Sequence, residues 1–79
     1  MSESELQKMV PVIARGIYRK TLAYMRHGGN FYTSTHLAIT EVSEAAENTF
    51  LKNRIRNEKG LIMTSLGMMI MRRHPRLIC

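Results

Sequence analysis

Residues 61–73 read Leu-Ile-Met-Thr-Ser-Leu-Gly-Met-Met-Ile-Met-Arg-Arg, and the fold depends on how this apolar stretch is buried. Its apolar residues fall on every side, so periodicity alone does not separate a buried helix from a buried strand. Length and methionine content favour a helix, because methionine is a good helix former. Pro75 ends the segment, and residues 74–79 are expected to form a flexible tail. A helix that is apolar all round must be buried on all sides.

The first of two amphipathic helices is predicted over residues 3–27. Its apolar stripe consists of Leu6, Met9, Val10, Ile13, Ile17 and Tyr24. Gly28-Gly29 ends it, because glycine adopts the left-handed conformation at low cost. Pro11 implies either one kinked helix or a short turn followed by a new helix near Pro11; the second is slightly favoured, because proline suits a first helical turn. Gly16 weakens the helix and points to a close approach between helices.

The second amphipathic helix is predicted to start at Thr33, Ser34 or Thr35, which are all suitable N-caps, and to run to about Asn57. Lys59-Gly60 is the predicted stop. Glutamates occupy the first half of this helix and basic residues the second half, an order that complements the helix dipole. Its apolar stripe is predicted to consist of Ile39, Val42, Ala46, Thr49, Phe50 and Asn53. The sequence therefore predicts an all-α fold of three main helices in a single domain, residues 1–79.

Composition limits the chain to one small domain. It has 79 residues, with 12 lysines and arginines against 6 glutamates and a net charge of +6. A chain of this length buries only about 60% of its unfolded surface, so a second copy or a partner is expected to complete the core. The only cysteine is Cys79, which excludes an intrachain disulfide. The longest apolar stretch is shorter than the ~20 residues of a membrane span, and the acidic N-terminus differs from a signal peptide. We expect a cytoplasmic protein.

Neither catalysis nor metal binding is indicated. His27, His36 and His74 are isolated from one another, and no pattern links them to a nucleophile. Structural zinc requires four Cys or His ligands at short paired spacings, which the chain lacks. The absence of aspartate argues against a magnesium or calcium site. We therefore expect a protein that is not an enzyme, uses no cofactor and has no small-molecule substrate.

Nucleic-acid binding remains an alternative, because the basic residues form three clusters that could contact phosphates. These clusters are Arg15, Arg19, Lys20 and Arg26; Lys52, Arg54, Arg56 and Lys59; and Arg72, Arg73 and Arg76. No internal glycine can be placed at the turn of a helix-turn-helix without putting charged or small residues at core positions. A β-ribbon reader would require residues 31–35 to be a strand. The clusters also have a simple structural explanation, because cations near helix C-termini complement the dipole.

Binding to a partner protein is the favoured interpretation. Seven methionines are many for this length, and methionine adapts its shape on surfaces that accept partners. Because two amphipathic helices hardly enclose an apolar third one, a homodimer through the methionine-rich segment is expected. The predicted interface consists of Phe50, Leu61, Ile62, Met63, Leu66, Met68, Met69 and Ile70. The first two basic clusters are then candidates for contacts with an acidic partner surface or with phosphate. An inhibitor of a nucleic-acid enzyme is a further, less favoured hypothesis.

Two stretches carry a resemblance to a known group of proteins. They are Tyr18-Arg-Lys-Thr-Leu-Ala-Tyr-Met-Arg-His-Gly-Gly-Asn30 and His36-Leu-Ala-Ile-Thr-Glu-Val-Ser-Glu-Ala-Ala-Glu-Asn-Thr-Phe50. Both resemble small derepression proteins of satellite phages and related prophages, over at most half of the chain. The resemblance implies a noncatalytic antirepressor, whose ligand is the repressor of a helper phage. It assigns a role to no individual residue.

Overall fold

The computed structural model describes residues 3–78 of the chain, and their side chains from 11 to 77. It contains five helices: α1 (Glu3–Arg26), α2 (Phe31–Ala45), α3 (Thr49–Asn57), α4 (Lys59–Arg73) and α5 (Pro75–Ile78). Residues 3–78 contain no strand, which confirms the all-α prediction. The number of helices differs from the prediction, because the second predicted helix is divided into α2 and α3. The predicted stripe residues Leu6, Met9 and Val10 lie outside the described side chains.

Helix α1 continues through Pro11, so the slightly favoured prediction of a new helix starting there is wrong. The predicted end at Gly28-Gly29 is confirmed in detail. Gly28 has φ +97°, in the left-handed region. The Gly29 N–H donates to the Tyr24 carbonyl at 3.0 Å, and the Gly28 N–H donates to the Met25 carbonyl at 3.1 Å. This pair of bonds is the Schellman motif, which satisfies carbonyls that the last helical turn leaves free.

Helix α2 begins earlier than predicted. Its N-cap is Asn30, whose Oδ1 accepts a hydrogen bond from the Thr33 N–H at 2.8 Å. The prediction of an N-cap at Thr33, Ser34 or Thr35 is therefore wrong, because these residues already lie within the first turns of α2. The same observation excludes a strand at residues 31–35.

A short connection, residues 46–48, separates α2 from α3. The backbone of Ala46 is extended, with φ −71° and ψ 122°. Asn48 then caps α3: its Oδ1 accepts from the Phe50 N–H at 2.8 Å and from the Leu51 N–H at 3.2 Å. The cap satisfies two backbone donors that a helix start leaves free, which stabilises a second helix start at this point.

This break changes which side chains of α3 are buried. Leu51 and Ile55 are buried, whereas Phe50 is 61% exposed and Asn53 is also exposed. The predicted stripe through Thr49, Phe50 and Asn53 is wrong, because it extended the periodicity of α2 across the connection. A new helix starts with its own phase.

The third predicted segment is a helix, α4, which settles the choice between helix and strand. It begins at Lys59, so Gly60 lies in its first turn and is not a stop. Pro75 follows the end of α4 as predicted and begins α5, a single helical turn. Leu77 of this turn packs against buried residues. The flexibility predicted for residues 74–79 stays a prediction, and Cys79 lies outside the described residues.

The core consists of two adjoining clusters of buried side chains. The larger cluster contains Ile17, Ala38, Ile39, Leu51, Ile55 and Leu66, and thus joins α1 to α2, α3 and α4. The smaller one contains Leu22, Met25 and Ile70, near the C-terminal ends of α1 and α4. The predicted close approach at Gly16 is not found, because a Cβ added at that position would meet no described atom within 4 Å.

Candidate functional site

A groove of about 550 Å³ lies between α1 and α4. Each helix contributes residues spaced three or four apart, which share one face of a helix. The lining residues are Pro11, Ala14, Arg15, Tyr18 and Arg19 of α1, and Ile62, Ser65, Leu66, Met69 and Arg73 of α4. The groove therefore combines apolar side chains with three arginines.

Contacts between α1 and the end of α4 position the two sides of the groove. Leu22, Met25 and Ile70 pack together in the smaller buried cluster. The Tyr18 hydroxyl and His74 Nε2 lie 3.1 Å apart and share a hydrogen bond, and their ring centroids are 6.4 Å apart. These contacts hold the C-terminal half of α1 against the C-terminal end of α4. Tyr18 belongs both to these contacts and to the lining of the groove, so the groove adjoins them.

The arginines of the groove are not neutralised by their described neighbours. Between residues 11 and 77, the ion pairs are Lys20–Glu41 at 3.3 Å and Arg54–Glu58 at 3.5 Å. Within that range, no carboxylate pairs with Arg15, Arg19 or Arg73. Apolar walls of low dielectric constant focus the field of such charges and attract acidic groups into the groove.

The fold brings the first and third basic clusters together. Arg73 lines the groove with Arg15 and Arg19. It also lines a second, shallower pocket with Arg26 and Arg76. Lys20 differs from the arginines of its cluster, because its ammonium group is paired with Glu41 of α2.

The second basic cluster is separate from the groove and is partly engaged within the fold. Arg54 pairs with Glu58, and the Arg56 Nε–H donates to the Ser43 hydroxyl at 3.3 Å. Lys59 makes a hydrogen bond to His36 Nδ1. Lys52 is half-buried. These contacts leave the cluster with less free donor capacity than the arginines of the groove have.

The predicted interface residues are divided between the core and the surface. Leu66 and Ile70 belong to the core of the chain and are 2% and 0% exposed. Ile62 and Met63 are half-buried and pack against the larger cluster. Leu61, Met68 and Met69 are exposed, and of these only Met69 lines the groove. Phe50 lies in a separate shallow pocket with polar residues of α3.

The sequence predicts no functional role for four residues of the groove: Pro11, Ala14, Tyr18 and Ser65. On α1, Pro11, Ala14 and Tyr18 recur at helical spacing beside the arginines. That spacing indicates a shared face of α1. The predicted apolar stripe of α1 runs through other residues, so this face is not part of the prediction. On α4 no signal was available, since apolar residues occur on every side.

A polar cluster joins α1 to α2. The Tyr24 hydroxyl donates to Glu41 Oε1 at 2.5 Å, and Lys20 Nζ donates to Glu41 Oε2 at 3.3 Å. The hydrogen bond from Tyr24 lowers the pKa of Glu41, and Lys20 lowers it further. The same bond raises the pKa of Tyr24. The cluster therefore favours an ionised glutamate beside a neutral tyrosine, which stabilises the contact between the helices.

Among the side chains described, residues 11–77, no three His, Cys, Asp or Glu residues lie together in a way that could hold a metal ion. None of the helices within residues 3–78 combines the length and the apolar character that crossing a membrane requires.

Comparisons with known proteins leave the groove as the main guide to function. No model of a protein family matches the chain, no curated protein matches its sequence, and no solved structure matches its fold.

Proposed function

We propose that this chain is a small non-enzymatic regulator that binds a partner protein through the groove between α1 and α4. The observation that carries the proposal is an apolar groove lined by three arginines that no described carboxylate neutralises. The occupant that fits it is an amphipathic helix of the partner, with apolar residues on one face and acidic residues beside them.

The chemistry of the groove supports this occupant in two ways. An amphipathic helix that lies in a hydrophobic groove presents anchors at positions i, i+3, i+4 and i+7. Ile62 and Met69 offer such anchors an apolar surface, and the flexible side chain of Met69 can adapt its shape to them. Acidic residues flanking the anchors would meet Arg15 and Arg19, both exposed on α1. Charge complementarity of this kind increases the association rate and selects the partner.

The resemblance to derepression proteins extends the proposal to a biological role. If the partner is a phage repressor, the chain acts as an antirepressor that prevents the repressor from holding its operator. This extension depends on the resemblance, whereas the helix in the groove depends on the geometry. The two parts are therefore tested separately. The position at which the partner binds tests the groove, and the identity of the partner tests the antirepressor role.

Site-specific photo-crosslinking in producing cells tests the site. A photo-reactive amino acid is placed at position 69, which lines the groove, and in a matched variant at position 71, where Met71 is 62% exposed and does not line it. We expect position 69 to crosslink to a helical segment of one protein with acidic residues beside apolar ones. Position 71 should give little of the same product.

The double variant Arg15→Ala/Arg19→Ala supplies the electrostatic control for the crosslinking experiment. Exposed ion pairs contribute about 0.2–1 kcal/mol each, so the isolated partner segment should bind this variant roughly 2- to 30-fold more weakly. Crosslinks from position 69 to nucleic acid, or to a segment whose binding ignores the arginines, would contradict the proposal.

A nucleic-acid-binding regulator is the second candidate, and one observation favours it. Arg15, Arg19 and Arg26 lie along one side of α1, separated by about 6 Å and 10 Å along the helix axis, a spacing that allows contacts to successive phosphates. Removing Arg15 and Arg19 would then reduce the salt slope of DNA binding by about 2. The matched double variant Arg54→Ala/Arg56→Ala should change it less, because both side chains are engaged within the fold. Equal losses would contradict this candidate.

A further inference from the structure

A second pocket, of about 310 Å³, lies where the C-terminal ends of α1 and α4 meet α5. Three arginines from three different helices converge there: Arg26 from the last turn of α1, Arg73 from the last turn of α4, and Arg76 from α5. His74, Pro75 and Leu77 complete the lining. None of the described glutamates lines this pocket.

The backbone around this pocket is fixed by contacts on both sides of Pro75. His74 Nε2 is hydrogen-bonded to the Tyr18 hydroxyl at 3.1 Å. Leu77 packs against the smaller buried cluster. The His74 N–H donates to the Ile70 carbonyl at 2.7 Å, which continues the hydrogen bonding of α4 up to the turn. These contacts place Arg76, which lies between them in α5, beside Arg73 and the end of α1.

The positive charge of the pocket is larger than the negative charge of the helix ends beside it. A helix C-terminus carries roughly −0.5 elementary charge, so the ends of α1 and α4 together supply about −1. The three arginines supply +3, since guanidinium stays protonated in proteins. A surplus of about +2 remains, and the described part of the chain provides no carboxylate to balance it.

We propose that this pocket binds a phosphate dianion, as inorganic phosphate or as a phosphomonoester. A phosphomonoester carries about −1.5 to −2 at pH 7 and offers three acceptor oxygens, which matches the surplus charge and three guanidinium forks. A carboxylate carries half of that charge. A nucleic-acid backbone presents singly charged phosphodiesters along an extended path, whereas this pocket gathers its arginines around one concavity.

Titration of the labelled protein with inorganic phosphate, followed by NMR at constant ionic strength, tests the proposal. We expect saturable shifts of the arginine side-chain signals of Arg26, Arg73 and Arg76. Phosphoserine as the free amino acid should bind with similar affinity, and acetate should bind at least tenfold more weakly. A duplex DNA is added in a separate titration as the competing ligand.

Single variants separate a built site from general positive charge. Arg26→Ala and Arg76→Ala should each weaken phosphate binding about tenfold or more, because each removes charge-assisted hydrogen bonds. Arg76→Lys should weaken it too, since lysine keeps the charge but lacks the planar fork. The matched control is Arg72→Ala, which removes one positive charge from the last turn of α4, next to Arg73 but outside the pocket. It should leave the affinity within about twofold.

Each alternative result overturns the proposal. Absence of saturation below about 50 mM phosphate, or equal losses in Arg72→Ala and Arg76→Ala, would show diffuse charge instead of a site. Binding of DNA but not of phosphate through Arg26 and Arg76 would assign the pocket to nucleic acid. Because neither Arg26 nor Arg76 lines the groove, these results leave the proposed partner-binding function untouched.

Discussion

The substitution Gly16→Ala tests whether anything packs against α1 at Gly16 in the folded protein. Gly16 lies in the interior of α1, and apart from its chain neighbours and its own helix backbone no described atom lies within 4 Å of a Cβ added there. Glycine in a helix interior is less stable than alanine by about 0.5–1 kcal/mol. With no contact to oppose this gain, the free energy of unfolding should rise by that amount. For a domain of this size the Tm should rise by roughly 2–8 °C.

Two matched glycine variants, measured with Gly16→Ala by circular dichroism during thermal and urea unfolding, give the scale of the effect. A Cβ at Gly67 would lie 3.2 Å from Phe31 Cζ, so repulsion opposes the same helical gain in Gly67→Ala. Gly28 has φ +97°, and alanine there should cost about 1–2 kcal/mol. The expected order of stability is Gly16→Ala, then Gly67→Ala, then Gly28→Ala.

A destabilising effect of Gly16→Ala would refute this reasoning. If the loss also depended on protein concentration, a second copy would have to pack against α1 at Gly16. The close helix approach predicted from the sequence would then exist between two chains.

Three further predictions concern stability and assembly. The hydrogen bond from Tyr24 holds the pKa of Glu41 below its ordinary value of 4.5 in the folded protein, so ionised Glu41 stabilises the fold above pH 4.5, and this stabilisation is lost as the pH falls through the lowered pKa. Tyr24→Phe should therefore lose less stability on acidification than the unchanged protein. Measuring the Tm of both proteins from pH 7 to pH 3 checks this. Asn48→Ala should lower the free energy of unfolding by about 0.5–2 kcal/mol, measured by urea denaturation, whereas Asn48→Gly should cost only a few tenths; equal losses would contradict a cap role. If α4 mediates a homodimer, Met68→Ser/Met71→Ser should yield monomers in light scattering, because both methionines are exposed on α4, and an unchanged mass distribution would place any interface elsewhere.

The helical class and the end of α1 were predictable because they depend on local chemistry. The pair Gly28-Gly29 favours a helix end, because glycine adopts the left-handed conformation at low cost, and Gly28 does so here. The break after α2 has a local cause as well, the capping side chain of Asn48. The sequence does not indicate this break, because the stretch before it contains good helix formers and no glycine or proline, so the helical pattern continues across it. As a result, the residues of α3 that were predicted to be buried, Thr49, Phe50 and Asn53, are exposed.

The candidate site was less predictable, because it depends on which helices become neighbours. The sequence identified Arg15 and Arg19 as surface cations but could not place them opposite Arg73, since that pairing requires α1 to lie beside α4. In α4, apolar residues lie on every side of the helix, so the sequence does not show which side faces the core. Leu66 and Ile70 were therefore assigned to an interface, although the chain buries both in its own core.

Arg73 lines both the groove and the arginine pocket, so ligands bound at the two proposed sites would be coupled through it. A phosphate dianion bound beside Arg73 would neutralise part of the positive potential that attracts an acidic helix into the groove. The expected coupling is therefore negative, and linkage requires that each ligand weaken the other by the same factor. Once a partner segment is known, its affinity should fall in saturating phosphate relative to chloride of equal ionic strength. Arg76→Ala, which weakens the pocket and leaves the groove lining intact, should abolish that difference. A difference that persists in Arg76→Ala would mean that phosphate acts on the groove itself.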